Sequence, residues 1–168
     1  MFYQALEIEP PRLRLDADDL RQRFYARSRL LHPDRFARKS PAEQQAALDA
    51  SSVLNDAYRT LRDPVLRAEY FLEQRGIAAG SATAPPDLLE EVFAFNEALE
   101  ESDAEQLAEA REKFETLRTA VDTHLDELFT KFDETANEQV LHQIRAQLNR
   151  RRYLSNLIAT ANGERIQH

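Results

Sequence analysis

Apolar residues recur along the first part of the chain with the three-to-four-residue spacing of amphipathic helices. Leu20, Phe24 and Leu31 follow this spacing after Asp16, whose carboxylate is placed to cap a helix. Pro33 disfavours the helical conformation at the residue before it. The pattern therefore predicts one amphipathic helix that ends at about Leu31.

A second helix begins at a strong start signal. Ser40-Pro41-Ala42-Glu43 combines a serine cap, proline in the first turn and a glutamate placed to complete a capping box. Asp63-Pro64 then restarts the chain in a shorter helix that ends at Gly76. The apolar members of the longer helix are Leu48, Val53, Leu54, Ala57, Tyr58 and Leu61.

Residues 76–86 separate this helical region from the rest of the chain. The segment holds two of the three glycines and no charged residue, which is the composition of a linker. We therefore predict one domain over residues 1–75 and a second over residues 87–168.

Three helices are predicted after the linker. Pro86-Asp87 opens the first, which runs to about Glu101, and capping-box patterns at residues 102–105 and 135–138 start the other two. The apolar positions of the last two keep a heptad-like stripe. An antiparallel three-helix bundle is the simplest fold for this part.

Composition agrees with an all-α fold, because leucine and alanine far outnumber isoleucine and valine. With only 3 glycines there is no glycine-rich phosphate loop, and without cysteine there is no disulfide or thiolate metal site. No apolar run approaches the length of a membrane span, and the N-terminus lacks the basic start of a secretory signal. We expect a soluble, cytoplasmic protein that does not bind membranes.

Charge is unevenly distributed. The formal net charge is -8, yet residues 12–39 hold nine bases and four acids. Arg23 and Arg27 are four residues apart on one helical face, with no acid expected beside them. An acidic protein partner fits this region better than nucleic acid, which the acidic chain as a whole would repel. A solvated face without a partner is the alternative.

The tripeptide His32-Pro33-Asp34 lies between the basic helix and the capped helix. Proline fixes φ, and two polar side chains flank it in a predicted loop, so we expect a rigid surface site. Catalysis is not expected, because no second polar group is placed against His32. His124 and His142 fall on different predicted helices, so no metal site and no cofactor are expected either.

Most of residues 2–75 resembles the J-domain of DnaJ-type co-chaperones. The stretches that carry this resemblance are Tyr3-x-x-Leu6-x-Ile8, the run from Leu20 and Phe24 to His32-Pro33-Asp34-Arg35, and Asn55-x-Ala57-Tyr58-x-x-Leu61-x-Asp63-Pro64-x-x-Arg67-Ala68-x-Tyr70. A closer resemblance is to the HscB family, whose members link a DnaK-type ATPase chaperone, HscA, to the iron–sulfur scaffold IscU. It rests on His32-Pro33-Asp34-Arg35-Phe36, on Arg67-Ala68-Glu69-Tyr70-Phe71-Leu72 and on the helical bundle that follows.

This resemblance implies two binding surfaces. In the second domain, residues 88–92 and 151–154 look like the family's two client-contacting segments. The resemblance implies that His32, Pro33, Asp34 and Arg35 bind the DnaK/HscA-type chaperone. Arg23 and Arg27 are added to this site because of their positive charge. The residues implied for binding the IscU-like client are Leu88, Leu89, Val92, Phe93, Asn96 and Tyr153.

The chain departs from the family in two places. Glu7 and Ile8 stand where a glycine is usual at the end of the first helix. Phe93 and Asn96 stand where acidic residues are usual. Leu89 and Phe93 are also turned away from the core stripe of their helix, so we expect either packing against a neighbouring element or an exposed binding patch. The basic run at residues 150–152 is expected to border that patch and to engage acidic groups on the client.

The sequence therefore predicts an all-α co-chaperone with an N-terminal J-domain helical hairpin and a C-terminal antiparallel three-helix bundle. It is expected to stimulate a DnaK/HscA-type ATPase and to deliver an IscU-like scaffold. A general J-domain co-chaperone that serves unfolded clients is the alternative. An enzyme is the least favoured class.

Overall fold

The structure, a computed structural model, describes residues 1–80 and 83–163, and within these ranges it contains helices and no strand. The all-α prediction is confirmed. The chain divides into two compact units, Met1–Gly76 and a second that begins at Ile77. Residues 81 and 82 of the predicted linker lie outside the described residues. No described helix combines the length and the apolar character needed to cross a membrane.

The first unit is built from helices, and two of them begin at the start signals predicted from the sequence. Asp16 accepts a hydrogen bond from the Asp19 amide at 2.8 Å, and Ser40 and Glu43 form the predicted capping box. The elements are α1 (Phe2–Ala5), α2 (Ala17–Leu30), a 3-10 turn (Pro33–Arg35), α3 (Pro41–Leu61) and α4 (Pro64–Gln74).

The core of this unit differs from the predicted apolar face of α3. Ala47, Leu54, Ala57 and Leu61 are buried, whereas Leu48 is 55% exposed. The four buried side chains follow one helical stripe, and Leu48 lies one residue past Ala47, about 100° away from it around the axis. Leu48 is therefore a surface leucine.

Arg67, on α4, is buried in the same unit with 7% of its surface exposed. Its Nε donates to the carbonyl oxygen of Leu13 and its Nη1 to that of Leu61, each at 2.7 Å. Leu61 is the last residue of α3, where helical carbonyls lack intrahelical donors. The guanidinium thus joins the segment before α2 to the end of α3.

The second unit contains a 3-10 turn (Pro86–Leu88), α5 (Leu89–Glu101), α6 (Ala104–Thr135) and α7 (Glu138–Ala161). Arg111 contacts Asn162, and Asp122 contacts Arg151, so α6 and α7 run in opposite directions. Lys113 of α6 reaches back to Glu91 of α5 at 3.1 Å. The predicted antiparallel three-helix bundle is confirmed.

The last two helix starts were each predicted with the wrong capping residue. Asp103, not Ser102, caps α6 by accepting from the Gln106 amide at 3.1 Å. Asn137, not Thr135, caps α7. Ser102 and Thr135 belong to the ends of the preceding helices, because each connection is only two residues long and the later residue is the one with extended backbone.

The end of α6 offers a direct test of backbone strain. Ala136 has a φ of +52°, in the left-handed region where a Cβ is unfavourable. Ala136→Gly should raise the free energy of unfolding by about 1 kcal/mol. Ala120→Gly, inside the same helix, should lower it by a similar amount. Urea denaturation of both variants checks the pair, and a shift in the same direction would contradict this account.

Candidate functional site

The His32-Pro33-Asp34 segment forms a rigid turn at the end of α2. His32 caps the 3-10 turn, with its Nδ1 accepting a hydrogen bond from the Asp34 amide at 3.2 Å. The Arg35 amide donates to the His32 carbonyl at 3.0 Å. Because these bonds fix the backbone, the Asp34 carboxylate points outward with 91% of its side chain exposed. The structure therefore brings His32, Pro33, Asp34 and Arg35 together on one turn.

The segment after this turn is held by a residue that sequence reasoning missed. Gln44, in the first turn of α3, donates its side-chain Nε2 to the carbonyls of Phe36 at 3.1 Å and Lys39 at 3.2 Å. A third, longer contact reaches the Ala37 carbonyl at 3.5 Å. Glutamine near a helix start has no distinctive sequence signal, so only the folded geometry reveals that it positions the loop.

Arg23 and Arg27 are paired, which corrects the prediction that no acid compensates them. Arg23 donates to Asp19 at 2.8 Å and to the Glu7 carbonyl at 2.5 Å. Arg27 lies 3.0 Å from the Glu7 carboxylate. Glu7 has a φ of +55°, so it adopts the left-handed backbone that favours glycine, and it meets α2 with both its carbonyl and its side chain. Both arginines therefore help to join α1 to α2.

Three further arginines lie closer to the turn. Arg29, Arg35 and Arg38 are exposed, and none forms an ion pair within residues 1–80 and 83–163. The sequence prediction included Arg35 but did not single out Arg29 or Arg38. The charge pattern of the sequence could not distinguish these three arginines from Arg23 and Arg27. The distinction depends on the contact of Glu7 with α2, which only the fold shows.

A second candidate surface lies on α5. Leu89 is 55% exposed and Phe93 is 67% exposed, so of the two predicted alternatives for this pair the structure shows an exposed patch. Asn96 is also exposed, and Val92 is half-buried. Leu88 is only 3% exposed, which places it in the core rather than on the surface. Its predicted contact with a client is corrected accordingly.

Tyr153, predicted to lie beside Leu89 and Phe93, is half-buried on α7. Burial raises the pKa of its phenol above the ordinary value. Its position next to the two exposed residues of α5 remains a prediction.

The basic run at residues 150–152 has internal partners, which corrects its expected role toward a client. Arg150 makes two hydrogen bonds of 3.0 Å to Asp87 and holds the pKa of that carboxyl below its usual value. Arg151 bonds Asp122 at 2.6 Å, and Arg152 donates to the Gly80 carbonyl at 2.7 Å. These arginines stabilise the second unit itself. No cluster of three or more metal-ligating side chains occurs in the described part of the chain.

Comparison with known proteins gives matches in both units. The DnaJ domain family matches residues 1–70, and the family described as the HSCB C-terminal oligomerisation domain matches residues 84–162. The Co-chaperone protein HscB homolog of Bordetella petrii is 36% identical over 130 residues, which cover 70% of this chain and 76% of that protein. The homolog of Neisseria gonorrhoeae is 30% identical over 159 residues, 93% of each chain.

Two solved structures are similar in fold. Human co-chaperone protein HscB superposes with a TM-score of 0.71 and 26% identity, covering 96% of this chain and 80% of the human chain. Chaperone HscB from Vibrio cholerae gives a TM-score of 0.68 over 96% of this chain and 95% of its own. At 24% identity the second likeness concerns the fold alone.

The anchoring of the loop by Gln44 can be tested in the isolated protein. Gln44→Leu removes the donor to the loop carbonyls, so amide exchange across residues 36–39 should accelerate several-fold. The free energy of unfolding should fall by no more than about 1 kcal/mol, because the lost bonds are exposed. Gln45→Leu is the matched control, since Gln45 bonds only Asp49 within the same helix. Equal exchange rates in the two variants would show that Gln44 does not hold the loop.

Proposed function

The chain belongs to the HscB family of J-domain co-chaperones, and we propose that it stimulates the ATPase of a DnaK/HscA-type chaperone and delivers an IscU-like iron–sulfur scaffold to it. The observation that carries the first half is the outward-facing Asp34 carboxylate on a turn fixed by the His32 cap. A preorganised charged group binds a partner at little cost in conformational entropy. The turn is therefore the contact proposed to trigger hydrolysis.

The proposed chaperone site contains two classes of cation. Arg35 on the turn and Arg38 after it are exposed and form no ion pair with any residue that the structure describes, so they are available to attract an acidic surface. Arg23 and Arg27 act through their bonds to Glu7, because these bonds hold α1 against α2. Reversal of Arg23 or Arg27 would thus disturb the fold as well as the surface charge.

The second half of the proposal rests on the exposed apolar pair of α5. Leu89 and Phe93 lie one helical turn apart and present adjoining apolar surface to solvent. Exposed apolar patches on otherwise charged helices are typical of protein-binding sites. Phe93 stands where the family usually has an acidic residue, so this surface favours an apolar contact on the scaffold at that point.

Connecting the two binding surfaces in one chain raises the local concentration of client at the chaperone. The protein contributes no bond-making chemistry to this process; the chaperone partner supplies ATP hydrolysis. A general co-chaperone would instead bind many unfolded chains through an adaptable surface. A pull-down from native lysate separates the two, because one dominant scaffold is expected under our proposal and a mixture of clients under the alternative.

Asp34→Asn should abolish stimulation of the partner ATPase, since it removes the exposed negative charge while keeping the shape of the side chain. Helicity and scaffold binding should be unchanged, because among the described residues the exposed Asp34 carboxylate has only a 3.5 Å contact with His32 Nδ1, which an asparagine can keep. Asp49→Asn, an exposed aspartate on α3, is the matched control and should stimulate normally. Single-turnover ATPase assays measure the effect. Undiminished stimulation by Asp34→Asn would refute the assignment.

Alanine at Leu89, Phe93 and Tyr153 together should abolish scaffold binding and barely change the melting temperature. Interface aromatic residues often contribute ~2 kcal/mol or more each to binding. Two of the three side chains are mostly exposed, so their truncation leaves the core intact. Titration calorimetry and thermal unfolding measure the two effects. The control is Tyr25→Ala with Leu66→Ala, which truncates exposed apolar residues of the first unit. A large loss of stability with binding retained would show that the three residues belong to the core.

A further inference from the structure

The end of α7 carries the one Asn-Gly pair in the sequence, Asn162-Gly163. The helix ends at Ala161, and the two residues that follow it are exposed. Gly163 has a φ of +75°, and beyond its chain neighbours no atom lies within 4 Å of the position that a Cβ would take there. No side chain therefore shields the Gly163 backbone nitrogen, which follows the Asn162 side chain directly.

An asparagine followed by glycine can lose its side-chain amide without an enzyme. The glycine nitrogen attacks asparagine Cγ, so that a new N–C bond forms and the bond from Cγ to Nδ2 breaks. Ammonia leaves with the proton of the attacking nitrogen, and a succinimide ring remains. Water then adds to one of the two ring carbonyls and opens the ring to aspartate or to isoaspartate. The reaction needs no other reactant.

Two hydrogen bonds restrain the pair in the folded protein. Asn162 Oδ1 accepts from Nη1 of Arg111, on α6, at 3.2 Å. The Gly163 amide donates to the Thr160 carbonyl at 3.0 Å. The first bond restrains the side chain that is attacked, and the second occupies the N–H group that attacks. Deamidation therefore requires the last turn of α7 to open.

This turn is held weakly enough to open. It is the end of a helix, where backbone hydrogen bonds are exposed and local opening costs little free energy. The Arg111 guanidinium also lies 4.0 Å from the Glu115 carboxylate on its own helix, so Arg111 keeps a partner when Asn162 leaves it.

We propose that Asn162 is a site of spontaneous deamidation and that its hydrogen bond to Arg111 controls the rate. The aspartate product places a new negative charge beside Arg111. The isoaspartate product lengthens the main chain at the point where Gly163 closes the turn. Either product changes the contact between α6 and α7. The proposal does not depend on the proposed function.

Prolonged incubation of the full-length protein in warm, mildly alkaline buffer tests the site. Peptide mapping by mass spectrometry should show conversion at Asn162, and isoaspartyl methyltransferase should label the isoaspartate product. Asn149 and Asn156 are internal controls, because they lie within α7 and are followed by the large residues Arg150 and Leu157. Conversion at Asn162 that is no faster than at these two asparagines would overturn the proposal.

Gly163→Ala tests the chemical step. The added methyl group hinders attack by the backbone nitrogen, so conversion at Asn162 should slow about tenfold. An unchanged rate would show that the succinimide route is not the one used.

Arg111→Gln tests the restraint, and conversion at Asn162 should accelerate several-fold because the last turn opens more often. Lys113→Gln is the matched control, since Lys113 pairs with Glu91 of α5, and it should keep the wild-type rate. Amide exchange at residues 162 and 163 should accelerate in the same proportion as conversion in Arg111→Gln. In concentrated urea, Arg111→Gln and the wild type should convert equally fast, because the restraint exists only in the fold. Equal rates of Arg111→Gln and Lys113→Gln in the folded protein would refute the role of Arg111.

Discussion

The first unit depends on one buried cation. Removing the charged Arg67 side chain from water costs several kcal/mol unless hydrogen bonds replace its hydration. The Leu13 and Leu61 carbonyls provide such bonds, each at 2.7 Å. They belong to the segment that leads into α2 and to the last turn of α3. A single guanidinium therefore fixes where the α2–α3 hairpin begins and ends, and the connecting turn is constrained between those two points.

Local interactions then determine which groups the turn presents to solvent. Pro33 ends α2. The His32 ring accepts a hydrogen bond from the Asp34 amide, and the Gln44 side chain donates to the Phe36 carbonyl after the turn. The His32 and Gln44 hydrogen bonds each satisfy a backbone group that would otherwise need water, and together they hold the backbone of the loop in place. The Asp34 carboxylate is the group that this arrangement leaves to solvent. Rigidity of the backbone and exposure of the charge have the same cause.

Local rules predicted the helices well and the surface less well. Asp16 and Ser40 cap the helices as expected, because a cap depends on residues three positions apart. The pairing of Arg27 with Glu7 could not be predicted, because the two are 20 residues apart and meet only through the left-handed backbone at Glu7. Helical periodicity likewise counted Leu48 among the apolar members of α3, although it lies outside the buried stripe.

The exposed apolar residues of the two units share one energetic property. Leu48 and Phe93 each lie on a helix whose buried stripe is already filled by other side chains, such as Leu54 on α3 and Phe95 on α5. Their own contribution to folding is small, because little of their surface leaves water when the chain folds. Burial by a partner would remove that surface from water for the first time. Substitutions at these positions can therefore separate association from folding, whereas substitution of Arg67 or Phe95 would change both.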